Sequence, residues 1–329
     1  MHNISQTYTI ESLSKLIGIA SSCIEADVPL KQRTWIHRGG IARWWLTPRS
    51  YDELLQIGQF LMREKLEYDI IGHTSNIYFK NTYNPIFVID TKYVKTIEYR
   101  EKEIICDAGV PIAQLARQNI SYGIQGYEGL LDLPGTVAAG VVNNSGCFGC
   151  EMSKIVKKIE LLTEDNRIIE LQNSDLHFIH RNSALKLGVV KGIILRVYLD
   201  ASTKGDSQEL KTIGQKNHSV RIEYQEKPAH NLGSMFSSFD LKKDFRYFMI
   251  RSILKCLAIA NVALSKRMII QKHLFLTLYN KKHLLPYISN KNLNTYLFLD
   301  AKADRYFKDY VNFVETICKD AKLEIEVRE

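Results

Sequence analysis

Residues 132–151 read DLPGTVAAGVVNNSGCFGCE, eighteen uncharged and mostly small residues with four glycines between two acidic ends. A second small, polar run, Gly72-His73-Thr74-Ser75-Asn76, interrupts the apolar stretch LEYDIIGHTSNIYF at 66–79. Clusters of Gly and Ala open backbone angles closed to other residues and let the main chain approach something flat or charged. Two such runs suit a dinucleotide, because backbone N–H groups bind pyrophosphate oxygens without placing a charge there. Neither run is a Rossmann fingerprint or a Walker loop. Close-packed strands joined by a tight turn would have the same composition, so the residue types alone leave both readings open.

Cys147-Phe148-Gly149-Cys150 raises metal and redox chemistry. A metal site wants two more ligands, and the sequence offers no second Cys pair and no His-x-His. Dithiol chemistry stays open, because a CxxC spacing can lower a thiol pKa, but the context is not thioredoxin-like. The other cysteines, Cys23, Cys106, Cys256 and Cys318, are scattered. The start MHNISQTYTIESLSK lacks the basic and apolar regions of a secretory leader. Reduced thiols and a cytoplasmic location are therefore expected.

The elements that must position these runs can be read from periodicity. In 38–65, Ser50 and Glu53 have capping-box spacing, and Leu54, Leu55, Ile57 and Leu61 recur helically, which predicts strand, turn, helix. Residues 66–79 predict a strand, a polar loop and a strand. Residues 86–110 contain three β-rich runs, followed by an amphipathic helix from Pro111 through Gln118. Residues 154–172 predict a hairpin about Asp165-Asn166, and 189–199 a further strand. This pattern implies α+β with strands in consecutive meanders rather than βαβ units. The polar stretch 201–218 reads as a linker with a helical turn. Beyond it come long helices, a helix over Asp304–Cys318 and a last strand, KLEIEVRE.

A chain of 329 residues has room for two or three domains, and 45% hydrophobic with 24% charged residues is an ordinary globular balance. The net charge of +8 suits an anionic ligand as well as nucleic acid, but no zinc-finger or RNP-type motif is present, so no nucleic-acid partner is expected. The most apolar helical stretch, 247–264, carries Arg251 and Lys255 and predicts a buried or amphipathic helix rather than a membrane span. No membrane partner is expected.

Six segments, in order, carry a resemblance: HRGGIARWWLTPRS, IIGHTSNIYF, GYEGLLDLPGTVAAGVVNNSGCFGCEMS, HRNSALK, NLGSMF and LEIEVR. The chain resembles the UDP-N-acetylenolpyruvoylglucosamine reductase family, flavoenzymes of peptidoglycan precursor synthesis whose FAD-binding fold is shared with vanillyl-alcohol oxidase-type flavoproteins. The resemblance implies an α+β chain: an N-terminal extension at 1–29, a two-lobed FAD-binding domain at 30–205 (lobes about 30–90 and 91–205) and a smaller α+β substrate-binding domain at 206–329. It implies non-covalent FAD, NADPH as reductant, a small-molecule UDP-sugar substrate and a monomer. The cofactor would lie against Gly72, His73, Thr74, Ser75, Asn76, Pro134, Gly135, Thr136, Ala138, Ala139, Asn144, Ser145 and Gly146. Cys147 and Cys150 fall where the family has other small residues.

The family's reaction passes a hydride from flavin to C3 of an enolpyruvyl ether while C2 gains a proton. By resemblance Ser234 delivers the proton, Arg181 steadies the substrate carboxylate and Glu326 assists the enol intermediate. Departures concern the substrate. His180 stands where the family has tyrosine, Ser237-Ser238-Phe239 replaces Lys-Asn-Pro, and the uninterrupted run from Arg181 to Val197 marks the shorter type without a substrate-capping loop. The glycine expected at position 73 is His73, whose imidazole either bonds FAD or points to solvent. These departures keep other readings open: a paralogue acting on another sugar nucleotide or surface-polysaccharide precursor, an oxidase of the same fold, or a non-catalytic FAD- or sugar-nucleotide-binding protein.

Overall fold

The computed structural model describes residues 8–227 and 229–329. The first seven residues, part of the segment read for a leader, lie outside the described residues. In chain order the elements are α1 (Ile10–Ile17), β1 (Ile24–Pro29), β2 (Ile41–Leu46), α2 (Tyr51–Arg63), β3 (Tyr68–Ile71), β4 (Ile77–Phe79), β5 (Phe87–Asp90), β6 (Ile97–Tyr99), β7 (Glu103–Asp107), α3 (Ile112–Ser121), α4 (Val137–Asn143), β8 (Gly146–Cys147), β9 (Cys150–Glu151), α5 (Met152–Ile155), β10 (Val156–Thr163), β11 (Ile168–Gln172), β12 (Gly192–Asp200), α6 (Ser207–Tyr224), β13 (Phe236–Ser238), α7 (Phe245–Ile259), α8 (Leu264–Leu278), α9 (Ala301–Ile317), β14 (Lys322–Leu323) and β15 (Glu326–Arg328). They divide into two compact units. Unit 1 comprises 1–34, 39–74 and 81–218; unit 2 comprises 35–38, 75–80 and 219–329.

Unit 1 contains two sheets. The first has the order β1-β2-β5-β3, with β1 antiparallel to β2 but β2 and β3 both parallel to β5. This corrects the expected meander. Here β2-α2-β3 is a crossover unit, as parallel neighbours require. Because both faces of such a sheet are covered, Trp44, Trp45 and Leu46 are all buried and the strand does not alternate. Helix α2 starts at Ser50, whose hydroxyl accepts from the Glu53 N–H. The other half of the box is displaced by one residue, since the Glu53 carboxylate accepts from the Arg49 N–H at 2.7 Å. Its face of Leu54, Ile57, Phe60 and Leu61 packs into one core with Leu13, Trp44, Phe87 and Ile89.

The second sheet has the order β11-β10-β12-β7-β6 and is antiparallel throughout. The β10–β11 hairpin turns at Asn166, which adopts φ 62°, as expected for a tight turn built on Asp-Asn. Helices α3 and α4 supply Ile112, Leu115, Val137 and Val141 to the core of this lobe.

Unit 2 is built around Phe236, Phe275, Tyr296, Phe298, Phe307, Tyr310 and Phe313, with β13 antiparallel to β14 and β15 parallel to β4. The expected long terminal helix and last strand are present as α9 and β15. The stretch expected as a linker is instead α6, an 18-residue helix that buries only Leu210 and Gly214. Its polar residues run around the whole circumference, so no hydrophobic period announces it. The apolar helix read at 247–264 is α7, which ends at Ile259; α8 begins at Leu264 after a break at 260–263.

Candidate functional site

Within unit 1 the two small runs meet. A β-carbon at Gly72 would lie 2.5 Å from the Thr136 hydroxyl oxygen, so only glycine permits this approach of the loop after β3 to the start of α4. Thr136 is the N-cap of α4, and its hydroxyl accepts from the Ala139 N–H at 3.4 Å. PGTVAAG is therefore not a loop throughout but a turn leading into a seven-residue helix. The leading N–H groups of that helix are taken: Val137 donates to Val110 O at 2.8 Å and Ala138 to Ala108 O at 3.1 Å. A ligand at this segment would meet its small side chains rather than the first helical N–H groups.

Left-handed backbone at Thr74 (φ 54°), Gly135 (φ 122°) and Asn144 (φ 41°) punctuates both runs. Pro134 is exposed, while Ala138, Ala139 and Ser145 are half-buried, and none carries a charge. These residues fit a flavin dinucleotide in that respect: turning backbone and small side chains leave main-chain dipoles within reach of a phosphate or a planar ring. Two positions have a further local reason for their identity. Asn144 is buried with its carboxamide engaged, donating to Ile179 O and accepting from the Ser153 N–H, each at 2.9 Å. A β-carbon at Gly146 would be 2.3 Å from Cys150 O, across the β8–β9 hairpin.

The Cys pair lies on that hairpin. Cys147 and Cys150 face each other across a turn in which Phe148 (φ 49°) and Gly149 (φ 81°) are both left-handed. All six cysteines are free thiols, and burial pushes the Cys150 thiol up. Among the described residues no group of three His, Cys, Asp or Glu could hold a metal ion.

His73 does not point freely to solvent. It is half-buried, and its pKa lies below the ordinary 6.5, first because burial disfavours the imidazolium and then because Lys92 repels it. Lys92 forms an ion pair with Asp90 at 2.8 Å, with the carboxylate 1% exposed. Burial pushes the Asp90 carboxyl up, and the Lys92 ammonium opposes that shift. This Asp-Lys-His group flanks the loop, because Asp90 pairs in register with Ile71, the last residue of β3. Sequence reasoning missed Asp90 and Lys92; the available signal was a carboxylate closing the apolar strand FVID.

Arg181 also belongs to unit 1. It is half-buried at φ 56°, in a turn closed by the Ile179–Asn182 bridge. That turn rests on α4: the Ser183 hydroxyl donates to Val142 O at 2.7 Å, and the Lys186 ammonium donates to Asn143 Oδ1 at 2.7 Å. The turn that carries Arg181 is thus held against the same short helix that follows Thr136.

Unit 2 joins three other expected residues. The Glu326 N–H donates to Asn76 O at 2.9 Å, and the Asn76 side chain donates to Glu324 O at 3.4 Å. Glu324 N–H donates in turn to Met235 O at 2.8 Å, next to Ser234. Ser234 is exposed, after a left-handed Gly233 (φ 77°), and its backbone is held on either side. Gly233 N–H donates to Asn231 Oδ1 at 3.0 Å, and Asn294 grips Phe236 with its side chain, donating to Phe236 O at 2.8 Å and accepting from Phe236 N–H at 2.9 Å. An exposed hydroxyl on a fixed backbone is what a proton donor to a bound ligand needs. Asn294 was not foreseen; its signal, a polar NKNLNT run between apolar stretches, reads equally well as a loop. Glu326 is half-buried, and its carboxylate accepts from the Arg328 guanidinium at 3.0 Å.

Residues 43–172 match the FAD binding domain family. A UDP-N-acetylenolpyruvoylglucosamine reductase from Caldanaerobacter subterraneus subsp. tengcongensis is 28% identical over 63% of this chain and 68% of its own length. One from Caldicellulosiruptor saccharolyticus is 32% identical over 49% of this chain and 52% of its own. The chain is similar to UDP-N-acetylenolpyruvoylglucosamine reductases. It spans about two thirds of the first of these reductases and about half of the second. The fold extends further than the sequence likeness. The structure of the reductase from Thermus caldophilus aligns with a TM-score of 0.65 over 93% of this chain and 99% of that one, at 21% identity. This chain therefore has the two-lobed FAD-binding architecture of those reductases followed by a smaller α+β region.

Proposed function

We propose that the chain is an FAD-dependent reductase of the enolpyruvyl ether of a UDP-amino sugar, converting UDP-N-acetylenolpyruvoylglucosamine to UDP-N-acetylmuramate with NADPH as reductant. The carrying observation is the similarity to reductases of that name, 28% identical over 63% of the chain. The juxtaposition of Ser234, Asn76 and Glu326 in unit 2 supports it.

Bound FAD would supply the hydride to C3 of the substrate. The chain's own residues would do the rest. Gly72, Thr74, Thr136, Ala138, Ala139 and Asn144 would receive the cofactor on turning backbone and small side chains, with Ser75, Asn76, Pro134, Gly135, Ser145 and Gly146 completing that surface. The Arg181 guanidinium would hold the substrate carboxylate with two parallel hydrogen bonds, opposing the charge that develops as C3 is reduced. The Ser234 hydroxyl would deliver the proton to C2. A hydroxyl is a weak acid, but a carbanion next to a carboxylate is a strong enough base to take its proton. Glu326, steadied by Arg328, would then act on the enol. The domain limits at 30–205 and 206–329, the cytoplasmic setting and the monomeric state are part of the same proposal.

A second reading is favoured by one observation. Ser237-Ser238-Phe239, where the family has Lys-Asn-Pro, lies largely in β13, and the Ser237 hydroxyl donates to Lys322 O at 3.3 Å. The donors that would hold the substrate diphosphate in that family are therefore absent from this strand, which suits a paralogue reducing a different sugar nucleotide. An anaerobic half-reaction separates the two. The flavin is reduced with NADPH, UDP-N-acetylglucosamine enolpyruvate is added, and oxidised-flavin absorbance is followed. Rapid reoxidation supports the first reading. A flavin that is reduced by NADPH and stays reduced supports the second.

A further inference from the structure

Helix α7 turns a row of large apolar side chains away from the core. Ile250 is buried, with Tyr247 and Leu254 packed on the core beside it. At 100° per residue, Phe245, Phe248, Ser252, Cys256 and Ile259 fall on the opposite side, and Phe245, Phe248 and Ile259 are 81%, 53% and 73% exposed. Scattered exposed hydrophobes are ordinary, but an aligned row that includes two phenylalanines asks for an occupant.

The segment that carries this row has charge of one sign after its N-cap Asp244. Residues 245–299 contain nine Lys and Arg and no Asp or Glu. Arg251 and Lys255, both exposed, line one edge of the row, and α8, which packs beside α7, exposes Lys266, Ile269 and His273. The carboxylate at the head of the helix, Asp244, is engaged as N-cap to the Tyr247 N–H and accepts from the Tyr279 hydroxyl at 3.0 Å.

We propose that α7 is an interfacial helix that docks this protein on the surface of an anionic lipid bilayer, its phenylalanines entering the acyl boundary and Arg251 and Lys255 meeting lipid headgroups. An apolar row edged by cations has the pattern of helices that lie in the plane of a membrane surface. Docking requires no span: no helix of the described residues is long and apolar enough to cross a membrane, and 15 residues extend about 22 Å. It departs from the sequence expectation of no membrane partner. A second copy of the chain fits the row less well, because a symmetric contact would press two carboxylate-free, cationic segments together.

The test is flotation of the full-length chain with vesicles of phosphatidylcholine and with vesicles in which phosphatidylglycerol replaces about a third of the lipid. The wild type floats with the anionic vesicles only, and the binding falls with added salt. Phe245→Ser/Phe248→Ser loses the binding, and Arg251→Gln/Lys255→Gln weakens it by roughly thirtyfold. Wild-type elution volume and circular dichroism establish that each variant is folded. Wild type that floats with neither vesicle overturns the proposal, as does partition unchanged in the phenylalanine pair. A concentration-dependent dimer that the same pair turns monomeric, without vesicle binding by wild type, assigns the row to a second copy and overturns it equally. None of these readings depends on catalytic activity.

Discussion

The backbone N–H of Glu326 donates to the carbonyl of Asn76 at 2.9 Å, joining the last strand to the polar loop that sits 250 residues earlier in the chain. Parallel pairing of β15 with β4 continues the contact through Val327–Tyr78 and Arg328–Phe79. Deleting residues 324–329 removes that pairing and the Glu324 tie to Met235. Such a truncation is expected to lower the thermal midpoint, and to abolish substrate reduction even where flavin is retained. A truncated chain of unchanged activity would remove Glu326 from the mechanism.

Ser234→Ala removes an exposed hydroxyl without disturbing the backbone clamps on Gly233 and Phe236. Substrate-driven flavin reoxidation should fall on the order of a hundred- to ten-thousandfold, the usual range for loss of a positioned acid, while reduction of the flavin by NADPH keeps its wild-type rate. Stopped-flow measurement of the two half-reactions checks the split. Equal slowing of both would assign Ser234 a structural role.

Gly72 and Thr136 are coupled by close approach, so their variants should not add. Gly72→Ala must displace the Thr136 side chain and should cost about 1–3 kcal/mol. Thr136→Ala loses the N-cap of α4, about 1 kcal/mol. The double variant relieves the clash and should be less destabilised than the sum, measured by urea unfolding with flavin retention as a second readout. Strict additivity would mean that the two runs are not in contact.

His73 is held neutral, so its effect on stability lies on the acid side. The lowered pKa means that the unfolded chain binds the proton more readily. Its contribution is therefore fully present above pH 6.5 and is lost as pH falls through the lowered value. His73→Gln should flatten the decline in thermal midpoint between about pH 7.5 and 5 relative to wild type. Lys92→Met, by removing the repelling charge, should bring the His73 pKa back toward 6.5 and shrink that decline, followed by fluorescence.

Cys318 works in the opposite direction. Burial, with Asp240 adding to it, pushes this fully buried thiol from 9.0 up to about 11. The native state keeps the proton longer than the unfolded chain does, so its stabilisation is complete below pH 9 and is lost as pH rises to about 11. Cys318→Ala should show a lower midpoint at neutral pH and a shallower alkaline decline, read by calorimetry across that range.

Much of this molecule follows from local sequence. The Ser50 cap, the hydrophobic stripe of α2 and the Asp165-Asn166 hairpin are set by interactions within a few residues, so their spacing alone revealed them, and alternation announced β15 although its partner β4 is distant in the chain. The two small, polar runs announced a backbone made to be approached, and their order along the chain with HRNSALK, NLGSMF and LEIEVR carried the likeness to the flavin reductases. Tertiary structure decided what depends on distant partners. The parallel pairing of β2 and β3 with β5 was not legible, because a fully buried strand loses the alternation that marks its partner. Helix α6 was not legible because a polar circumference has no period. That PGTVAAG opens a helix with its first N–H groups already bonded depended on Ala108 and Val110, and that Gly72 meets Thr136 depended on two separate folds of the chain. The burial of His73 beside Lys92 and Asp90, and the joining of Asn76, Glu326 and Met235, have the same origin. Proton affinity and side-chain placement are set by neighbours in space, and those neighbours are remote in sequence.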